Sequence, residues 1–135
     1  MTKLSKKYKP TQKEKFMNAK MKEYFRQKLL SWKNDLLKES SQTLNNLQNE
    51  NEAKPDITDR ASEEIDRSFE LRTRDRERKL INKIDAALQR IEDGSYGYCD
   101  ETGDPISIKR LEARPVATLS LEAQEMHEKA EKRIS

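Results

Sequence analysis

Glycine is almost absent from this chain: there are three in 135 residues, and all of them lie between positions 94 and 103. Before position 94 nothing marks a left-handed turn, so long uninterrupted helices are free to form there. Proline is equally sparse, at positions 10, 55, 105 and 115. A single cysteine, Cys99, excludes an intrachain disulfide. No apolar run approaches the ~18 residues of a membrane span. The six lysines among the first fifteen residues are not followed by the apolar stretch of a secretory signal. A cytoplasmic location and no membrane partner are therefore expected. Apolar residues make up 33% and charged residues 39%, with a mean hydropathy of −1.14. That excludes a compact core of this length but suits a two-helix coiled coil with a wet surface. The net charge of +3 is the small difference between 28 basic and 25 acidic residues. It argues for local patches and against the broad basic surface of a dedicated DNA binder. No nucleophile–base pair, metal cluster or phosphate-cradling glycine loop is visible, so no enzyme is expected.

What the chain does have is helical periodicity. After a basic leader over 1–17, loose at its start and carrying Lys3, Lys6, Lys7, Lys9, Lys13 and Lys15, a first helix is expected from about Asn18 to Asn51. The leader reads as a solubilising tail, with contact to an acidic partner or RNA as the other reading. Phe25, Leu29, Trp32, Leu36, Ser40, Thr43 and Leu47 step by four and three as a coiled-coil seam, widened by Leu30, Leu37 and Leu44. The seam turns polar over 40–51, which predicts weak packing there. Pro55 ends this helix, and Asp56 or Thr58 caps a second one that runs to Asp93 and stops at Gly94. Its seam reads Ala61, Ile65, Phe69, Thr73, Glu77 or Arg76, Leu80, Ile84, Leu88 and Ile91. Each helix would span about 50 Å, giving a long antiparallel hairpin over 18–93 with its tip near 52–60. Two carboxylates, Asp56 and Asp59, sit at that tip. Arg72, Arg76, Lys79 and Lys83 fall at helical spacing as one basic stripe, for which a solvated face laced by local ion pairs is the plain reading.

Residues 94–135 are expected to form a small globular end that packs with the hairpin base. Tyr96 to Cys99 and Thr102 to Pro105 read as tight turns flanking short strands, with Ile106 and Ile108 alternating. Lys109 to Arg114 suits one helical turn. Ser120 caps a last helix through about Arg133, with Ala123, Met126 and Ala130 on its inner face. Cys99-x-x-Thr102 and Ser120-x-x-Ala123 stand seventeen residues apart, the spacing of a four-thiolate zinc site with one thiolate left. A hydroxyl is a poor zinc ligand and alanine none, so a degenerate, metal-free knuckle is expected, without zinc or another metal. Asp100, Asp104 and His127 do not complete a donor set. Packing of Tyr96, Tyr98, Ile106, Ile108, Leu111, Val116, Leu119 and Met126 would hold this end, with Cys99 as a small buried hydrophobe.

Three separated blocks carry a family resemblance: Pro55-Asp56-x-x-Asp59-Arg60-Ala61, then Leu71-Arg72-x-Arg74-Asp75-Arg76-Glu77-Arg78-Lys79-Leu80-Ile81, then Gly97-Tyr98-Cys99 with Arg110-Leu111-Glu112-Ala113-Arg114-Pro115. Together, over roughly Glu23 to Glu131, the chain resembles the TraR/DksA family of bacterial RNA polymerase-binding regulators. The resemblance implies a mostly α fold and a monomer that binds polymerase without contacting promoter DNA. It implies insertion of the hairpin into the secondary channel, altering open-complex lifetime at stable-RNA and biosynthetic promoters. Asp56, Asp59 and Ala61 match the family's functional tip. Arg76, Leu80, Lys83 and Arg114 match its guanosine tetraphosphate site, as co-regulator of the stringent response. Gln124 departs from a position where the family commonly presents lysine, which weakens that match. A transcript-cleavage factor of the same channel, or a plain coiled-coil interaction module, are the alternative readings.

Overall fold

A computed structural model describes residues 4–52 and 57–134, and their side chains outside 43, 44, 46–52, 57–60 and 134. The chain is mostly α, built around a coiled-coil hairpin of α1 (Ala19–Glu52) and α2 (Ile57–Asp93), followed by a short α3 (Ile108–Ala113) and by α4 (Leu121–Ile134). Local chemistry fixes the helix ends. The Asn18 side-chain oxygen accepts from the Met21 N–H at 2.8 Å and caps α1. Gly94 takes φ +85, and the Ser95 N–H reaches back to the Arg90 carbonyl at 3.0 Å, closing α2 with a left-handed cap. Ser107 and Ser120 oxygens each accept from the N–H three residues on, both at 3.2 Å, and open α3 and α4.

Two compact units divide the chain: Met1–Leu30 with Ile84–Ser135, and Ser31–Lys83. Among the described residues, fourteen of the fifteen buried hydrophobics belong to the first unit. Met21, Phe25 and Leu29 of α1, Ile84, Ala87 and Ile91 of α2, and Tyr96, Ile106, Leu111, Val116 and Ala123 beyond them form its core. The Phe25 ring stands 5.7 Å from that of Tyr96, whose hydroxyl donates to the Pro115 carbonyl at 2.7 Å. Burial pushes the Tyr96 hydroxyl far above the ordinary tyrosine range.

The expected short strands do not form: one antiparallel bridge, Tyr98 to Pro105, is all that pairs here. Pro105 has no N–H to extend a ladder, Gly97 and Gly103 hold positive φ, and Ser107 draws Ile108 into α3. A Cβ at Gly97 would stand 2.8 Å from Met17 Cε, so the turn is pressed against the leader. Met126, expected on the inner face of α4, is 71% exposed, and Ala130 is exposed too. Of the described α4 side chains only Ala123 is buried, because the helix touches the core through its first turn alone. Tyr98 is also exposed, at 38%, its ring edge-to-face with Phe16 at 5.3 Å.

A tie joins α1 to α3. Lys28 Nζ donates to the Glu112 carboxylate and to the Glu112 carbonyl, both at 2.9 Å. Burial and the hydrogen bond to Glu112 push the Tyr24 hydroxyl up to about 12. Burial works against ionised Glu112, but the Tyr24 hydroxyl, the Lys28 ammonium and the Lys9 charge hold its carboxyl below the usual range. Its folded pKa is depressed, so the stabilisation is complete above the unfolded value and is lost as pH falls through the folded one. In Lys28→Met, stability is expected to drop by about 1 kcal/mol at neutral pH. The gap between the two proteins should narrow as pH falls below the ordinary carboxylate range. Urea melts across that range check it, and a constant gap would show that the pair carries none of the dependence.

In the second unit Leu36 and Glu77 are the buried residues among those described. Glu77, and not Arg76, takes the inward seam position; Ser40 Oγ donates to its carboxylate at 2.6 Å. Ala61, Ile65 and Phe69, expected in the seam, lie exposed, the last two by 71% and 68%. Ser40→Ala is expected to cost about 1–3 kcal/mol by leaving a buried carboxylate without its donor. Ser40→Ala combined with Glu77→Leu should regain that loss, because an apolar pair replaces a buried polar one at little cost. Thermal melts of both variants decide; equal losses in the two would contradict this account.

Candidate functional site

The tip residues stand differently in the structure. Asp56 lies outside the described residues. Asp59 is the third residue of α2, where the helix dipole favours a negative charge, and its side chain lies outside the described set. Ala61 is exposed and opens, with Glu64, Ile65, Ser68, Phe69 and Arg72, onto a shallow groove of about 560 Å³.

Farther along α2 the basic stripe is solvent-facing: Arg72, Arg76, Lys79 and Lys83 are all exposed, and Leu80 beside them is half-buried. Arg78 on a neighbouring face pairs with Asp75 at 3.3 Å, an exposed i, i+3 contact. Arg114 follows α3, and its N–H donates to the Arg110 carbonyl at 2.7 Å. It belongs to the first unit, whereas Arg76, Leu80 and Lys83 belong to the second. Gln124 is half-buried on α4 and donates to Glu128 at 3.4 Å.

The four knuckle positions are gathered in the first unit. The Cys99 carbonyl accepts from the Gly103 N–H at 2.9 Å, and its own N–H donates to the Asp104 carbonyl at 2.8 Å. The Thr102 hydroxyl and the backbone N–H groups of Ser120, Thr102 and Glu101 surround the thiol and hold it down to about 6. Ala123 packs its methyl into the core. The donor set is thus one thiol, two hydroxyls and a methyl. No group of three or more His, Cys, Asp or Glu able to hold a metal occurs among the described residues. His127 pairs with Glu101 across from α4, both half-exposed.

Residues 21–91 match the family model described as the N-terminal domain of DnaK suppressor protein DksA. Residues 94–129 match the prokaryotic dksA/traR C4-type zinc finger. The chain belongs to the DksA family. A curated member, the RNA polymerase-binding transcription factor DksA of Caulobacter vibrioides, is 62% identical over 93% of this chain and 88% of its own length. The Escherichia coli DksA, named likewise, is 43% identical over 90% of this chain and 81% of its own. The structure of transcription factor DksA2 from Pseudomonas aeruginosa superposes with a TM-score of 0.82 at 39% identity, covering 87% of this chain and 90% of that one.

This membership corrects one expectation. Zinc was not expected, yet the region matches a family defined as a C4-type zinc finger, so metal binding belongs to the class this DksA-family chain falls in. Cys99, Thr102, Ser120 and Ala123 themselves do not supply the donors of a four-thiolate site.

Sequence reasoning missed the leader of this DksA-family protein. Residues 4–18 form a series of turns fixed to the first unit. Tyr8 meets Tyr24 edge-on at 6.0 Å, Phe16 meets Tyr98, and Met17 is buried with φ +53. The signal was present, since Leu4, Tyr8, Phe16 and Met17 stand among and after the lysines, but only tertiary partners show that the segment docks.

Proposed function

We propose that this protein is a cytoplasmic transcription regulator that binds RNA polymerase. The observation that carries the reading is the 62% identity, across 93% of the chain, to a relative named as an RNA polymerase-binding transcription factor. The relatives are described as binding factors, in keeping with a regulator that catalyses nothing itself. In this reading the hairpin over 18–93 inserts its tip into the secondary channel. Asp56, Asp59 and Ala61 act at the tip. Two carboxylates near a helix N-terminus are favoured in their ionised form, and beside the moving parts of the polymerase active centre they perturb cations and basic groups there. The outcome is altered open-complex stability at stable-RNA and biosynthetic promoters. Direct promoter contacts are not required, and the protein acts as a monomer.

Arg76, Leu80, Lys83 and Arg114 are the proposed guanosine tetraphosphate contacts. Exposed cations suit a polyanionic ligand, and the family resemblance at these four positions supports the assignment. With Gln124 in place of a lysine, the alarmone effect is expected to be weaker than a full set of cations would give. Purified transcription from a stable-RNA promoter, with and without this protein and guanosine tetraphosphate, tests the proposal. Repression that deepens with the nucleotide is expected. Unchanged transcript with polymerase left unbound would refute it, and stimulated cleavage in backtracked complexes would move the protein to the cleavage-factor class.

A further inference from the structure

The leader does more than solubilise, because its lysines sit on a fixed platform. The Tyr8 hydroxyl donates to both Glu14 carboxylate oxygens at 3.1 Å, and the Thr11 N–H donates to Glu14 Oε2 at 2.9 Å. Those contacts fold the leader back on itself, and Tyr24, Tyr98 and the buried Met17 hold it to the first unit. The one carboxylate among the described leader residues is thereby occupied.

Between the leader and α3 lies a groove of about 300 Å³ lined by Lys9, Pro10, Gln12, Ile108, Lys109 and Glu112. Lys9 and Lys109 are exposed; Lys109 makes no ion pair or hydrogen bond with any described residue, and Lys9 acts on Glu112 through its charge alone. Glu112, the groove's only acid, is already engaged by Lys28 at 2.9 Å. The half-buried Pro10 and Ile108 give an apolar floor, and Gln12 adds an amide with both donor and acceptor.

We infer that this groove docks an acidic, extended segment of a protein partner, one whose carboxylates meet Lys9 and Lys109 while an apolar side chain covers Pro10 and Ile108. Two exposed cations flanking an apolar strip are complementary to alternating acidic and apolar residues. A nucleic acid fits less well. No aromatic face lines the groove, Tyr8 and Tyr24 are turned edge-to-face against each other, and single-stranded nucleic acids rely on stacking of that kind. The inference concerns a surface apart from the hairpin, and it does not depend on polymerase being the partner.

The test is fluorescence anisotropy on the full chain with a labelled peptide that alternates glutamate and leucine. The comparison ligands are the same peptide with glutamine for glutamate, and an oligouridylate of equal charge. Saturable binding of the glutamate peptide is expected, with little binding of the glutamine version. Lys9→Glu with Lys109→Glu should weaken it about tenfold, and Lys9→Arg with Lys109→Arg should retain it. Lys20→Glu, an exposed charge on α1, serves as the control for general electrostatics. Should the double reversal unfold the chain, Lys9→Gln with Lys109→Gln replaces it, with an intermediate loss expected. Absence of peptide binding would overturn the inference. So would oligouridylate binding as tightly as the peptide and losing affinity in the same variants, or Lys20→Glu weakening binding as much as the groove variants do.

Discussion

Replacing Asp59 by asparagine should leave polymerase affinity unchanged while repression at a stable-RNA promoter falls roughly tenfold or more. A hydrogen bond to a charged group is worth about 1.5–3 kcal/mol, so on the proposed reading loss of one carboxylate contact to polymerase suffices for an effect of that size. The substitution keeps the shape of the side chain and removes its charge. Asp59 sits in the first turn of α2, where a neutral amide still suits the helix, so the fold should not change. Filter or fluorescence binding to polymerase, paired with purified transcription, separates the two outcomes. Parallel loss of binding and activity would make the tip a docking element and remove the proposed division of labour. Full repression by Asp59→Asn would remove the charge from the mechanism.

Phe25→Ala should be the most damaging change to stability. Phe25 is fully buried, 5.2 Å from the Tyr24 ring and 5.7 Å from that of Tyr96, where α1 meets the segment after α2. Truncating a buried phenylalanine costs about 3–5 kcal/mol, the lost transfer energy plus a residual cavity. Set against a total stability of about 5–15 kcal/mol, that is a large share, and the melting temperature should fall by roughly 10–20 °C. Differential scanning calorimetry measures it. A drop of only about 2 °C would mean that the neighbouring rings collapse into the space and that the core is more plastic than its packing suggests.

How far this fold was legible in the sequence depended on whether the deciding chemistry was local. Gly94 and Ser120 announced their helix ends correctly because a cap is made by residues three or four positions away. The inward residues Phe25, Leu29, Leu36, Ile84 and Ile91 were readable from spacing alone. The glycine turns gave the place of the knuckle but suggested strands, since a period-two pattern says nothing about whether a partner ladder exists. Met126 was misplaced for a related reason: spacing defines a face, but how far a helix stays in contact depends on the rest of the unit. The docked leader and the Lys28–Glu112 tie, 84 residues apart in sequence, were invisible because both are products of tertiary contact. At the site itself, the tip carboxylates and the basic stripe were read from the helix break and from helical spacing, whereas the roles proposed for them come from family resemblance. The knuckle of residues 94–129 was legible as zinc-finger-like, but the expectation of no zinc, drawn from the missing thiols alone, is overturned by the match to a C4-type zinc-finger family.

The uneven burial of the two units has a consequence for timescales. Ser31–Lys83 buries Leu36 and Glu77 among its described residues, whereas the rest of the chain holds the aromatic and aliphatic interior. Amide protons over the middle of α1 and α2 should therefore exchange with solvent deuterium through local opening, well before those at Phe25, Leu29 or Ala87. Protection would fade along each helix on passing from the first unit into the second. Such a gradient lets one segment be remodelled by its surroundings while the remainder stays rigid, as cooperative subunits of folding do.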